Sequence, residues 1–456
     1  MEFETIDSAR GELPEEYRSY FQGTARTGPT DVLLGLDIGT SRTKAVLLDA
    51  GGGEAGAATV ATPFVTTDAR VEMRVGALLD CLRAVFVELG ERRRQVVAVG
   101  VAGIAESGAP LDAAGRSLAP VIAWHDERGA EAVALLERMF GPDLALRNGQ
   151  RPNTKMTVAK LGWLVVQGGV QGMHRWLGVP ELALRALTGV EATEHSLAAR
   201  TGCYDVVDHR WMPDVAGALG FSTDAFAPVH AAGSVMGRVS ADGAAWSELP
   251  EGLPVTIAGH DHLAGMAGAG AGPDDVANSV GTAETVAGRA ATAPDMAAAV
   301  ANRAAVSVYP GGTEWAVMVS AARAGPVIDA AAADLGRSPA ELDALALAGD
   351  AGAGRAWQRV LDDLTARTVD AYDRLVAVVG RRRRIVVFGG GSVSEPWLRA
   401  KAAALPVPVV RSTVTSAVAR GAAVQAGVAA GWWPSEAGAP RLSADGAGIR
   451  PPVSGR

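Results

Sequence analysis

The segment Asp37-Ile38-Gly39-Thr40-Ser41-Arg42-Thr43-Lys44 gathers a carboxylate, a glycine, three hydroxyls and a lysine within eight residues. Such a turn can offer backbone N–H groups and hydroxyls to phosphate oxygens. Asp37 can hold a hydrated magnesium ion, which prefers oxygen ligands. The lysine is informative because the chain has only four, Lys44, Lys155, Lys160 and Lys401, among 42 basic residues, so arginine is its default cation. A second turn, Ser279-Val280-Gly281-Thr282-Ala283-Glu284, again sets a glycine and a hydroxyl between apolar runs. A third, Phe388-Gly389-Gly390-Gly391-Ser392, follows a β-branched run and permits close backbone approach of a planar or charged ligand. Each alone also reads as an ordinary hairpin or helix-starting turn. Two such turns in separate parts of the chain suggest phosphates pinched between them.

The elements around these turns follow from apolar periodicity. Val32 to Leu36 and Lys44 to Asp49 read as a strand hairpin. Val75 to Leu89 has helical spacing, and Val96 to Ile104 is a β-branched run suited to a buried strand. Two helical stretches, Val158 to Val166 and Glu181 to Leu187, lead to another buried strand, Val255 to Ala258. Residues 31–271 therefore form a first α/β domain behind a variable tail, 1–30. Residues 272–433 form a second, in which Val276 to Val280 and Glu284 to Ala287 repeat the strand, turn, strand pattern. Trp357 to Val379 follows as a long helix, Ile385 to Phe388 as a strand and Val414 to Ala430 as an alanine-rich helix. Residues 434–456, rich in Pro, Gly and Ser, read as a weakly packed tail.

Bulk properties agree with two domains, since 456 residues exceed one ordinary core. With 48% hydrophobic and 20% charged residues the chain is globular. A net charge of −8 argues against a nucleic-acid footprint, and Arg381 to Arg384 reads as a solvated run before a strand. Two cysteines, Cys81 and Cys203, exclude a disulfide framework and fit a reducing cytoplasm. No signal peptide or membrane-spanning stretch is evident. The sequence leaves the oligomeric state open, a homodimer included.

The order of these segments resembles the FGGY carbohydrate kinases. The resemblance runs from about residue 32 to 431, through Leu34 to Asp49, Trp124-His125-Asp126-Glu127-Arg128, Gly259-His260-Asp261-His262, Gly281-Thr282 and Phe388 to Gly427. That family includes the kinases of glycerol, xylulose, ribulose, rhamnulose, fuculose and gluconate. It implies two actin-like (ribonuclease H-like) α/β domains flanking a cleft for ATP and a sugar or polyol. Asp261 then matches the catalytic base, with a helix N-cap as its structural alternative. Asp37 would position magnesium through water, with Thr40, Ser41 and Lys44 near the transferred phosphate. Gly281 and Thr282 would contact the nucleotide phosphates, and Gly389, Gly390 and Ser394 the adenosine end. Glu106, Trp124, Asp126, Arg128 and His262 would line the sugar pocket, although Asp126 and Arg128 could instead pair with each other. Lys155 stands where the glycerol kinases place an aromatic ring, which brings an aldonic acid into consideration. The His260, Asp261 and His262 run could also be read as metal ligands, but phosphoryl transfer calls for oxygen-bound magnesium.

Several positions depart from the family. The region between Asp329 and Trp357 lacks a recognisable glycine-glutamate-arginine-threonine-proline stretch. Ser416 stands where many members have glutamate, and Glu194 replaces a common aspartate. Two other functions compete. One is an actin-like ATPase that switches a partner, which has no need of a hydroxyl pocket. The other is a dinucleotide-dependent oxidoreductase, prompted by Gly268-Ala269-Gly270-Ala271-Gly272, which lacks the full fingerprint spacing.

Overall fold

The computed structural model describes residue 28, residues 30–68 and residues 70–440. The expected variable tail lies outside these residues except for positions 28 and 30. Two six-stranded sheets dominate. In the first, Val32–Ile38 pairs antiparallel with Arg42–Leu48, which pairs antiparallel with Glu54–Ala61. On its other side Val32–Ile38 runs parallel to Val96–Gly103, and that strand runs parallel to Pro254–His260. The short strand Gly237–Arg238 closes this edge.

The second sheet repeats the plan. Asp275–Val280 pairs antiparallel with Glu284–Ala290, then come Trp315–Ala322 and Ala305–Val308, both antiparallel. The parallel side is Asp275–Val280, Arg384–Phe388 and Val409–Arg411. Both hairpin turns therefore leave their sheets at corresponding places. A smaller five-stranded sheet includes Gly108–Leu111, Val121–Ile122 and Arg175–Gly178 and builds out the first domain.

The strands form because β-branched and leucine-rich runs can be buried on both faces. Leu33, Leu34, Leu36 and Ile38 are fully buried, each worth roughly 1.5–3 kcal/mol of transfer free energy. The Ala353–Val379 helix buries Trp357, Leu361, Leu364, Thr368, Ala371, Tyr372 and Leu375, a 3.6-residue stripe that covers the second sheet.

The helix Ala417–Ala429, from the second half of the chain, packs on the first sheet and on the helix Asp261–Gly268. Glycines make this contact flush. A Cβ at Gly35 would lie 1.8 Å from the Ala419 oxygen and one at Gly100 1.9 Å from the Ala422 oxygen. Between the helices, a Cβ at Gly268 would lie 1.8 Å from the Ala417 oxygen and one at Gly421 1.9 Å from the Ala264 oxygen. Gly268, the start of the glycine run, thus serves helix packing.

The beginning of the C-terminal tail packs more firmly than its composition suggests. Glu436 accepts hydrogen bonds from the Tyr309 hydroxyl, Arg289 Nη1 (both 3.0 Å) and Gln425 Nε2 (3.1 Å). Its polar contacts hold the segment where proline and glycine content predicts looseness. The rest of that tail, 441–456, lies outside the described residues.

Candidate active site

A cavity of about 380 Å³ lies between the two halves, lined by both hairpin turns, by Phe388 to Gly390, by Thr415 to Val418 and by Ile104 to Glu106. It brings together Asp37, Thr40, Ser41, Lys44, Glu106, Trp124, Lys155, Asp261, His262, Gly281, Thr282, Gly389 and Gly390.

Asp37 and Lys44 are cross-strand partners in the first hairpin, which places carboxylate and ammonium on one face. The turn between them is closed by the Gly39 N–H on the Arg42 oxygen at 3.1 Å. Burial, and then the charge of Asp261, push the Asp37 carboxyl up to about 7, and Lys44 opposes this. A carboxyl whose ionisation a neighbouring carboxylate opposes, set among hydroxyls, makes an oxygen donor set suited to a hard dication.

Asp261 follows the Pro254–His260 strand and opens the Asp261–Gly268 helix. His260 occupies the N-cap position and Asp261 is the first helical residue, so its carboxylate does not cap the helix. Its Oδ1 receives the His262 N–H at 2.7 Å and faces His260 Nε2 at 3.1 Å. Burial works to raise this carboxyl, but the imidazoles of His262 and His260 and the His262 N–H hold it well below the usual carboxylate range. Burial brings His262 down to about 4, against the pull of Asp261. The side chains of His260, Asp261 and His262 converge within 4.8 Å, as hydrogen bonding among neighbours requires.

The strand end that carries Asp261 is anchored from behind. The His260 N–H donates to Ser196 Oγ at 2.9 Å, and that hydroxyl donates to Glu194 Oε2 at 2.5 Å. Burial pushes Glu194 up to about 8, so it stands protonated at neutral pH. Gly259, at a left-handed φ of 104°, permits this approach, since a Cβ there would lie 2.5 Å from Ser196 Oγ.

Glu106 sits after the Val96–Gly103 strand in the left-handed region, at φ 65°, an unfavourable place for a glutamate. Arg200 Nη2 holds its Oε1 at 2.7 Å, with side chains 13% and 6% exposed. Trp124 connects the two ends of the cavity. Its indole N–H donates to Thr40 Oγ1 at 2.9 Å, and the Lys155 ammonium lies 5.1 Å from the centre of its ring system.

Three expected residues lie outside the cavity lining. Arg128 grips Asp126 through Nε at 2.7 Å and Nη2 at 2.6 Å and also pairs with Glu72 at 2.6 Å. Asp126 Oδ2 further accepts the Val71 N–H, which locks the pair into the wall of the small sheet. Ser394 donates to Asp343 Oδ1, which also accepts the Trp357 indole N–H, so it braces two helices. Sequence reasoning missed Arg200, which lies 94 residues from Glu106, and the cavity residues Ser320 and Thr415. No local pattern distinguishes Arg200 among the many arginines.

Two sheets of one repeated order, with paired turns and the Asp261 carboxylate facing one shared cleft, make a two-lobed scaffold. Residues 32–268 match the FGGY family of carbohydrate kinases, N-terminal domain, and residues 277–430 match its C-terminal domain. The chain belongs to this family and is a carbohydrate kinase, a phosphotransferase acting on hydroxyl groups. Among its relatives is an L-fuculokinase of Salmonella typhi, 27% identical across 83% of this chain and 88% of that protein. A xylulose kinase of Streptomyces rubiginosus is 28% identical across 58% of this chain and 55% of that one. The crystal structure of a xyloylose kinase from Brucella ovis superposes with a TM-score of 0.81 at 21% identity, covering 93% of this chain and 94% of that chain. The actin-like, ribonuclease H-like fold expected from the sequence is the fold of these neighbours. Among the described residues no helix is long and apolar enough to cross a membrane.

Proposed function

We propose that this chain transfers the terminal phosphoryl group of ATP to a carbohydrate hydroxyl, with Asp261 as general base. The observation that carries this is the position of Asp261, which opens on the same cavity as Asp37, Lys44, Thr282 and Glu106. A carboxylate held ionised can take the hydroxyl proton as its oxygen attacks the phosphate. Lys44, Thr40, Ser41, Gly281 and Thr282 would surround the phosphates from two sides, and positioning with charge neutralisation supplies most of the rate. Magnesium would be held through water by Asp37 and would neutralise charge on the phosphate oxygens. Closure of the two halves would exclude water from the reacting groups. Gly389 and Gly390 would lie at the adenosine end. Glu106, held by Arg200, would accept hydrogen bonds from acceptor hydroxyls beside Trp124 and His262.

The names of the relatives put fuculose and xylulose first among acceptors to test. A second reading rests on Lys155, exposed to the cavity over Trp124, whose pKa is lowered by burial above all and, against the pull of Glu106, by Arg200 and Arg323. That concentration of positive charge favours a substrate carboxylate, as in an aldonic acid. The test is ATP turnover by the purified protein with xylulose, fuculose, ribulose, rhamnulose, glycerol and gluconate, followed as ADP release. Stimulation by at least one acceptor is expected; ADP release indifferent to all of them removes the proposal. If gluconate is used, Lys155→Met should abolish that use while sparing neutral sugars.

A further inference from the structure

Lys160 carries a charge that the proposed chemistry does not use. It lies on the helix Thr157–Val166 with 0% of its surface exposed. Its ammonium donates to the main-chain oxygens of Lys155 at 2.8 Å, Thr154 at 2.9 Å and Trp124 at 3.3 Å. An ammonium has three N–H donors and no acceptor, so each donor has one carbonyl. Two of those carbonyls belong to Trp124 and Lys155, whose side chains line the cavity. The helix can come this close because of Gly129, at φ 96°, where a Cβ would lie 2.2 Å from the Ala159 oxygen.

We infer that Lys160 is a positioning residue of the acceptor site, a three-way clamp that fixes the Trp124 segment against the 154–155 loop. The clamp sets the distance between the Lys155 ammonium and the indole it covers, and keeps that indole in reach of Thr40. This inference rests on the reading of the cleft as a carbohydrate site. A buried lysine kept only for stability could be replaced by a methionine of similar length without effect on substrate preference. A clamp predicts loss on the acceptor side alone.

The charge of the clamp also gives it a pH dependence. Burial lowers the Lys160 pKa to about 8. Glu106 and Asp126 face it and oppose this, whereas Arg128 and Lys155 add to it. His125, on the same segment as Trp124, has its own pKa lowered partly by Lys160. Above this midpoint the amine keeps two donors and turns a lone pair toward a carbonyl, so one of the three ties is lost.

Two measurements on the full chain test the inference. With four lysines in the sequence, lysine labelled with 13C at Cε gives few resonances, and the one absent from Lys160→Met is assigned to Lys160. It should titrate near pH 8; titration near the ordinary value of 10.5 overturns the pH dependence of the clamp. The second measurement is KM for the acceptor, using whichever of xylulose, fuculose or gluconate supports turnover. That KM should rise roughly tenfold to hundredfold in Lys160→Met at pH 7, the worth of one or two charge-assisted bonds. In the wild type it should rise through the lysine midpoint, while KM for ATP in Lys160→Met at pH 7 stays at the wild-type value. Equal changes in both constants, or an unchanged acceptor KM, refute the positioning role. Should the methionine variant fail to fold, the pH series of the wild type decides, with Lys160→Arg supplying the assignment. Should no acceptor support turnover, the carbohydrate reading fails while the lysine titration still judges the pH dependence of the clamp.

Discussion

Replacement of Asp261 by asparagine separates the two roles that a carboxylate at the start of a helix can play. Both protein contacts of Asp261 fall on Oδ1, from the His262 N–H at 2.7 Å and His260 Nε2 at 3.1 Å. An asparagine oxygen can keep them, so the fold should survive. Losing a negative charge in the first helical turn costs about 0.3–1 kcal/mol. Part of this returns, because the charge of Asp261 is the second cause that raises Asp37. Net stability should still fall at neutral pH, because the contacts that hold Asp261 well below the usual carboxylate range stabilise its charged form in the fold. Catalysis should move much further, since loss of a general base costs about 10²–10⁴ in rate, or roughly 3–5.5 kcal/mol of barrier. The assay is acceptor-dependent ADP release beside a calorimetric ATP titration and a melting curve. Asp261→Asn should stay folded with a lower melting temperature at pH 7, bind ATP and turn over at about a hundredth of the wild-type rate or less. The pH dependence of ATP binding should also move to lower pH as Asp37 ionises more easily. Turnover close to wild type in a folded variant would leave the base assignment without support.

If the two hairpin turns serve one nucleotide, Lys44→Ala and Thr282→Val should each lower kcat/KM for ATP, the first chiefly through kcat and the second chiefly through KM; normal efficiency in both refutes the shared site. Glu106→Gln gives up the charge that Arg200 holds in the cavity and should weaken acceptor use roughly tenfold to hundredfold with little change in ATP affinity, read from paired KM values. Glu194 supplies a stability test. Its pKa is raised from 4.5 to about 8 by burial, so its contribution to stability is present below pH 4.5 and is lost as pH rises toward 8. Glu194→Gln should match the wild type in unfolding free energy near pH 4.5 and exceed it near pH 8, by on the order of a few kcal/mol; identical pH profiles would contradict a buried neutral glutamate.

The strands and turns were legible because each is announced locally. Val96 to Ile104 can only be buried, and the polar residues from Asp37 to Lys44 interrupt two apolar runs. The helix Asp261–Gly268 and the strand before it were equally readable, although the structure moves the cap from Asp261 to His260. What was not legible depends on distant pairing. Whether Arg128 faces a substrate or Asp126 and Glu72 is decided by the small sheet, where Glu72 lies 56 residues away in sequence. Ser394 looks like part of a glycine-rich nucleotide loop until Asp343 is found beside it. Arg200 reaches the cavity because its helix follows the Glu194–Ser196 anchor, and nothing in the surrounding sequence signals it. The FGGY resemblance pointed to Asp261 as the base proposed here but could not say which neighbours were already paired with each other.

The flush contact between the helices Asp261–Gly268 and Ala417–Ala429 has a consequence for how this enzyme can change over evolutionary time. Gly268 and Gly421 do not line the cavity, yet the first helix begins with Asp261 and the second begins beside Thr415 and Ser416, which do. One added methyl group at either glycine would collide with main chain of the other helix, which cannot rotate aside as a side chain can. The relief is a separation of the two helices, and a misplacement of about 1 Å at reacting groups can cost on the order of 10²-fold in rate. Substrate preference is therefore free to drift through the residues lining the acceptor pocket, while these two remote positions are confined to the smallest residue by a tolerance that no substrate ever meets.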